Sequence, residues 1–171
     1  DETAWADRGR GRGSTRSRAV LRDPPPRCPE SGTNSLLARA SADLVQVLRG
    51  EQIADASAVT VNASGWLDCS VIPGGPGGNE YISSLTLNNG AHVTVPSSGS
   101  LAVTGPVACT GNNLSVIDGG GYLGLTAATP TLHVTGRGTS PNLDLHTHTA
   151  ATSLTKTGPG RLRISTSSSV A

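Results

Sequence analysis

Pairs of aliphatic residues two positions apart recur along most of the chain. Because successive side chains of a β-strand point to opposite faces, each pair predicts a short strand with two side chains on one face. Between Leu85 and Leu143 successive pairs begin 8 to 13 residues apart, which is too short for alternating strands and helices. The pattern predicts an all-β chain. The pairs are Val59/Val61, Leu85/Leu87, Val93/Val95, Leu101/Val103, Leu114/Val116, Leu123/Leu125, Leu132/Val134, Leu143/Leu145 and Leu162/Ile164.

Turns rich in Gly and Asn separate these pairs and admit two architectures. One is an antiparallel β-sandwich, which Asn89-Gly90 favours locally as a hairpin turn. The other is a parallel β-solenoid, in which about three strands form each coil and the coils stack. Only 35% of the residues are hydrophobic and none is Phe or Met, whereas the core of a sandwich usually contains large aromatic side chains. We therefore predict the solenoid, with the sandwich as the alternative.

Composition divides the chain into three parts. Residues 1–34 are rich in Arg, Gly and Pro and cannot bury a core, so we expect a disordered or extended arm. Its arginines suit phosphate groups, but it has no interleaved aromatic side chains for base stacking, and nucleic acid is not an expected partner. Residues 35–56 are expected to be a capping or first-coil segment, and residues 57–171 a β-solenoid repeat segment.

The segment from Ser35 to Gly50 fits two patterns. Its leucines and alanines could line one face of a helix, with Asn34 as the N-cap. Val45 and Val47, however, stand at strand spacing just before a turn, so we predict a strand from Leu44 to Leu48. No apolar run is long enough for a secretory signal or a membrane span, and the lack of an initiator Met predicts a segment of a longer protein.

Metal-binding patterns are weak in this chain. Cys28, Cys69 and Cys109 are odd in number and widely spaced, which fits neither a disulfide framework nor a zinc site, so we expect buried or free thiols. His146 and His148 would share one side of a strand with Asp144, a crowded geometry for tetrahedral zinc. We predict surface polar residues there and no metal or other cofactor; the other two histidines of the chain are His92 and His133.

Four carboxylates are candidates for the acid and base of a polysaccharide-cleaving enzyme. They are Asp68, Glu80, Asp118 and Asp144, and no two are close in the sequence. Asp118, before Gly119-Gly120-Gly121, is better explained as a turn residue. Residues 74–78 form a Gly-rich loop without the Lys and helix of a phosphate-binding loop, and no Gly-x-Ser-x-Gly motif occurs. We therefore predict no catalytic residues; Asn62 and Asn113 begin glycosylation sequons that carry little weight.

The run Leu154-Thr-Lys-Thr-Gly-Pro-Gly-Arg-Leu-Arg-Ile-Ser165 resembles the autotransporter-associated β-strand repeat, whose signature is Leu-Thr-Lys-Thr-Gly-x-Gly-Thr-Leu-x-Leu-Ser. Residues 82–95 and 100–105 are similar to the upstream strands of the same family. Arg161 and Arg163 depart from it at outward positions. The resemblance implies a right-handed parallel β-helix in a large secreted or surface-displayed bacterial protein, and the family repeat carries no catalytic residues.

These observations lead to one expected function and one alternative. We expect a non-enzymatic structural or adhesive segment of a bacterial surface or secreted protein, located outside the cell or on its surface. The expected partners are neighbouring solenoid coils, further copies of the chain, and glycans or a host surface. The alternative is a carbohydrate-active β-helix, such as a polysaccharide lyase or hydrolase or a phage tailspike segment.

Overall fold

The computed structural model describes residues 43–73 and 78–165, and the backbone alone of Arg18–Leu21, Ser35–Ala38 and Ser169–Val170. All regular secondary structure in these residues is β. The strands are β1 (Arg18–Leu21), β2 (Ser35–Ala38), β3 (Leu44–Val47), β4 (Ala58–Asn62), β5 (Trp66–Asp68), β6 (Asn79–Ile82), β7 (Ser84–Asn88), β8 (His92–Thr94), β9 (Ser100–Val103), β10 (Val107–Thr110), β11 (Ser115–Leu125), β12 (Thr131–Val134), β13 (Leu143–Ala151), β14 (Thr155–Thr157), β15 (Leu162–Ile164) and β16 (Ser169–Val170).

The strands pair in parallel and form three stacks. Stack 1 is the six-stranded sheet β2-β4-β7-β10-β12-β14. Stack 2 is β1-β3-β5-β8-β11-β13-β15, and stack 3 is β6-β9-β11-β13-β16. The long strands β11 and β13 belong to both, because their first halves pair in stack 2 and their second halves in stack 3. The chain is a parallel β-solenoid of about five turns, as predicted, and the sandwich alternative is wrong.

The coils have nearly the same length when measured along stack 1, whereas paired residues along stack 2 are 19 to 28 positions apart. The strands of stack 1 begin at residues 35, 58, 84, 107, 131 and 155, so one coil takes 23 to 26 residues. Residues about one coil apart in the sequence therefore become neighbours on adjacent rungs, about 4.8 Å apart. Asn89 has a φ of 53° and Gly90 a φ of 97°, and this pair turns the chain from stack 1 to stack 2 instead of closing a hairpin.

The core is a set of aliphatic columns that run along the solenoid. Leu85 lies between Val59 and Val107, and Leu101 lies beside Leu123 on the next rung. Val93 and Val103 are also fully buried, as the spacing predicts. The narrow interior is filled by stacked Val, Leu and Ile, with Cys69 and Cys109 among them. No larger side chain is needed to close it.

One predicted pair has the wrong register. Leu114 and Val116 were expected to point inward, but Leu114 is exposed and Val116 lies on the outer face. Ser115 and Ile117 point inward instead. The physical reason is the stacking of Ile117 between Val93 and Leu145, which fixes the register of β11 irrespective of the aliphatic character of Leu114.

The glycine run at residues 119–121 is not a turn between two strands, as its composition predicts, but an irregularity inside β11. The register with β13 shifts between Asp118 and Tyr122. A Cβ on Gly121 would lie 2.1 Å from the carbonyl oxygen of Pro96 and 2.4 Å from that of Gly99, so only Gly fits between the two rungs. The corner between stacks 2 and 3 therefore requires these glycines.

The structure tests the predictions for the N-terminal arm and the segment that follows it only in part. In the expected arm, residues 1–34, the structure describes Arg18–Leu21, which pair with β3 as a strand of stack 2; the rest lies outside the described residues. The predicted strand at Leu44 to Leu48 is confirmed as β3, and Ser35–Ala38 is also a strand, so the helical alternative is wrong for both.

Candidate functional site

The outer face of stack 1 is built mostly from the small side chains of Ser, Thr, Asn and Ala, with one imidazole, that of His133. Along β4, β7, β10, β12 and β14 the outward positions alternate with the buried ones. The one charged residue of these five strands, Lys156, stands opposite the inward Leu132, at the C-terminal end of the stack. The outward residues are Ala58, Thr60, Asn62, Ser84, Thr86, Asn88, Ala108, Thr110, Thr131, His133, Thr155 and Thr157.

Hydrogen bonds link neighbouring rungs of this face. The amide of Asn88 donates to Asn62 Oδ1 at 2.6 Å, and the hydroxyl of Thr110 donates to Asn88 Oδ1. His133 Nδ1 lies 2.9 Å from the hydroxyl of Thr157 on the next coil. These bonds fix the side chains and leave a regular face of hydroxyl, amide and methyl groups.

The outer face of stack 2 is different, because it combines rings and charges. The rings of Trp66 and His92 stack with centroids 5.0 Å apart and an angle of 9° between their planes. His92 Nε2 lies 2.9 Å from Asp118 Oδ2, and the indole nitrogen of Trp66 donates to Thr94 Oγ1 at 2.9 Å. Asp118 was predicted to be a turn residue; that was wrong, because it lies in β11 on this face.

Asp144 is the second carboxylate of this outer face. Arg163 and the hydroxyl of Ser165 both donate to it, the latter at 2.7 Å. The hydrogen bond from Arg163 is the main cause that lowers the pKa of Asp144, against the opposing effect of burial. A carboxyl group held ionised in this way suits an ion pair and does not suit a general acid.

The other two candidate carboxylates have structural partners. Asp68 lies on the same outer face as Asp118, two rungs away, and accepts hydrogen bonds from Gln46 Nε2 and from the backbone nitrogen of Ser70. Glu80 points into the core and is fully buried. The structure therefore brings Asp68, Asp118 and Asp144 to one face and separates Glu80 from them.

The two histidines at residues 146 and 148 are exposed on the outside of β13, as predicted. His146 stands opposite Asp118 on the neighbouring rung. His148 stands opposite Tyr122, and the ring centroids of His148 and Tyr122 lie 5.5 Å apart. In residues 43–73 and 78–165, no three His, Cys, Asp or Glu side chains come together as a metal ion would require.

The remaining predicted features are the thiols, the Gly-rich loop and the two glycosylation sequons. Cys69 and Cys109 are free and buried, as predicted, and burial raises the pKa of both thiols. Cys28 and residues 74–77 of the Gly-rich loop lie outside the described residues. Asn62 is tied to Asn88, and Asn113 is exposed. The described part of the chain contains no helix of the length and apolarity needed to cross a membrane.

Sequence reasoning did not find the contacts of Trp66, His92 and Arg163. Each of them reaches its partner across a coil: Trp66 and His92 are 26 residues apart, as are His92 and Asp118. The available signal was the residue spacing between neighbouring rungs, which is 26 for these two pairs but only 19 for Arg163 and Asp144. In the sequence, this spacing between rungs is visible only through the uneven intervals between aliphatic pairs.

Comparison with known proteins identifies no relative of this chain. No family model matches the chain, and no curated protein and no solved structure is similar to it. The resemblance of residues 154–165 to the autotransporter-associated repeat therefore stays a prediction.

Proposed function

We propose that this solenoid is a non-enzymatic structural and adhesive segment of a larger bacterial surface or secreted protein, located outside the cell or on its surface. The observation that carries the proposal is the outer face of stack 1, where Ser, Thr, Asn and Ala repeat over five rungs. The partners of this face are glycans or a host surface, and further copies of the chain.

Repetition supports adhesion for a physical reason. Each rung offers a few hydroxyl and amide groups, which form weak contacts individually. Rungs about 4.8 Å apart present the same groups many times, and linked weak contacts gain by effective concentration. A face without Asp, Glu, Lys or Arg also avoids the desolvation penalty that a buried charge would add on contact.

A charge placed on this face tests the proposal. The variant Thr86→Lys puts an ammonium group at the centre of stack 1, and the matched control His146→Lys puts one on the exposed outer face of stack 2. We expect beads coated with Thr86→Lys to lose most of their retention on immobilised neutral polysaccharides or host-cell monolayers, and the control to retain it. Equal retention by the two variants would contradict the assignment of the adhesive face to stack 1.

One observation favours a second candidate function, a carbohydrate-active β-helix. Asp118 and Asp144 lie on adjacent rungs of one face, two residues out of register, which places their Cα atoms about 8 Å apart. Each has a basic partner, His92 or Arg163. Cleavage of acidic or neutral polysaccharides that is abolished by Asp118→Asn would replace the adhesive proposal with this one.

A further inference from the structure

Among the described side chains of stack 3, one at an inward position is ionisable. Glu80 in β6 shares a column with Leu101 and Leu123, and it is 0% exposed. Its Oε1 accepts a hydrogen bond from the backbone nitrogen of Ile53 at 2.8 Å, and its Oε2 accepts one from that of Gln52 at 3.2 Å. The carboxyl group of Glu80 thus accepts backbone hydrogen bonds that the carbonyl groups of a neighbouring strand would otherwise accept.

The reason lies in the preceding coil. Among the described strands, β6 pairs only with β9, so it is the first strand of stack 3. On its other side the chain passes as a turn at residues 48–57 instead of as a strand. Gln52 closes this turn, since its Oε1 accepts from the backbone nitrogens of Leu48 and Arg49. The backbone nitrogen of Ser83 donates to the carbonyl oxygen of Ser57 at 2.9 Å, which adds a further hydrogen bond between the end of β6 and the turn.

We infer that Glu80 is a pH-responsive clasp, which holds the 48–57 turn over the edge of β6 while its carboxyl group is protonated and releases the turn as the group ionises. Every charged or titratable neighbour that acts on this carboxyl group disfavours its anion. Glu51 and Asp55, which belong to the turn itself, are the neighbours that act in this way. The buried thiol of Cys69, just after β5, is also close, and Glu80 and Asp68 both disfavour its thiolate form.

The direction of the pH effect follows from the protonation of the two states. Burial is the main cause that raises the pKa of Glu80 from 4.5 to about 7, although the two backbone hydrogen bonds oppose it. Between these two values the closed turn keeps a proton that an opened, solvated Glu80 would lose. Opening therefore becomes easier as pH rises through this interval and changes little above it. An open turn would expose the unpaired edge of β6 to another strand.

Amide hydrogen exchange at Gln52 and Ile53 tests this inference. After correction for the intrinsic exchange rate, we expect protection at both amides to fall by about a hundredfold between pH 4.5 and pH 7.5, the change set by acid constants of 4.5 and about 7. The amides of Val107 and Leu132 in stack 1 are the internal reference and should keep constant protection.

Two variants separate the clasp from a general effect of pH. In Glu80→Gln the protection at Gln52 and Ile53 should no longer depend on pH. In Glu51→Gln, which removes an exposed carboxyl group from the same turn, most of the dependence should remain. If Glu80→Gln does not fold, the natural chain decides the question by itself. Protection that is constant over this pH range, or a slope that survives in Glu80→Gln, would overturn the inference.

Discussion

Stack 1 and stack 2 have the same interior and opposite exteriors. Inside, both consist of fully buried aliphatic columns, with Leu85 between Val59 and Val107 in one and Ile117 between Val93 and Leu145 in the other. Outside, stack 1 presents mostly hydroxyl, amide and methyl groups, whereas stack 2 presents stacked rings, a hydrogen bond between His92 and Asp118, and the ion pair of Arg163 with Asp144. The comparison teaches that the inward positions determine the solenoid and leave the outward positions free to serve a function.

Parallel stacking explains how each exterior remains stable. In a parallel ladder the same position recurs on every rung, so like charges at one position would face each other and repel. Stack 1 avoids the problem because its outward positions have no charges. Stack 2 resolves it by giving each acid a partner on a neighbouring rung: His92 beside Asp118, Arg163 beside Asp144, and the uncharged Gln46 beside Asp68.

The largest expected effect tests the shared interior. Leu85→Ala in stack 1 and Ile117→Ala in stack 2 each leave a cavity in a fully buried column. Each should therefore reduce the free energy of unfolding by about 2 to 5 kcal/mol, measured by urea denaturation. The outward variant Thr86→Ala, next to Leu85, should cost less than about 1 kcal/mol. If the cost of Thr86→Ala equalled that of Leu85→Ala, the assigned register of β7 would be wrong.

Much of the interior could be predicted from sequence, and little of the exterior. A strand with two aliphatic residues two apart has one apolar face, so the spacing identified the buried residues of most strands without knowledge of their neighbours. It failed at Leu114, where a turn residue is aliphatic and the stacking of Ile117 sets the register.

The contacts on the exterior depend on which residues share a rung. Since paired residues on adjacent rungs of stack 2 are 19 to 28 positions apart, the sequence does not specify that His92 meets Asp118, or that Glu80 lies inside while Asp118 lies outside. Such pairings depend on the length of each turn, which is not encoded by the aliphatic pattern.

A smaller effect concerns the ion pair of stack 2. Arg163→Gln removes the hydrogen bond that lowers the pKa of Asp144. A carboxyl group with a lowered pKa adds stability above its usual value of 3.8 and loses that contribution as pH falls through the lowered value. The variant should therefore be less stable than the natural chain at pH 7, and the difference should shrink as pH falls below 3.8 towards the lowered pKa of Asp144.

Denaturation midpoints at pH 7 and at pH 3 measure this difference. Arg161→Gln is the matched control, because Arg161 is exposed and its side chain donates to the carbonyl of Thr139 instead of to a carboxylate. Its effect should be small and similar at both pH values. A pH-independent effect of Arg163→Gln would mean that the pair with Asp144 does not contribute through its charge.

The smallest effect compares one histidine from each exterior. His92 in stack 2 stacks on Trp66 and pairs with Asp118, whereas His133 in stack 1 makes one exposed hydrogen bond to Thr157. An aromatic stack and a partly exposed hydrogen bond together contribute about 1 kcal/mol, so His92→Ala should reduce the free energy of unfolding by about that amount. His133→Ala should change it by less than about 0.5 kcal/mol. Urea denaturation of both variants measures the two costs.

Fluorescence of Trp66 gives this comparison a second measurement. In a Trp5→Phe background, Trp66 is the remaining tryptophan, and His92→Ala exposes the ring face that the imidazole covers. The emission should shift to longer wavelength in His92→Ala and remain unchanged in His133→Ala. If the two variants gave equal denaturation costs and neither shifted the emission, the contacts of stack 2 would add nothing to its exterior, and the two faces would differ in composition alone.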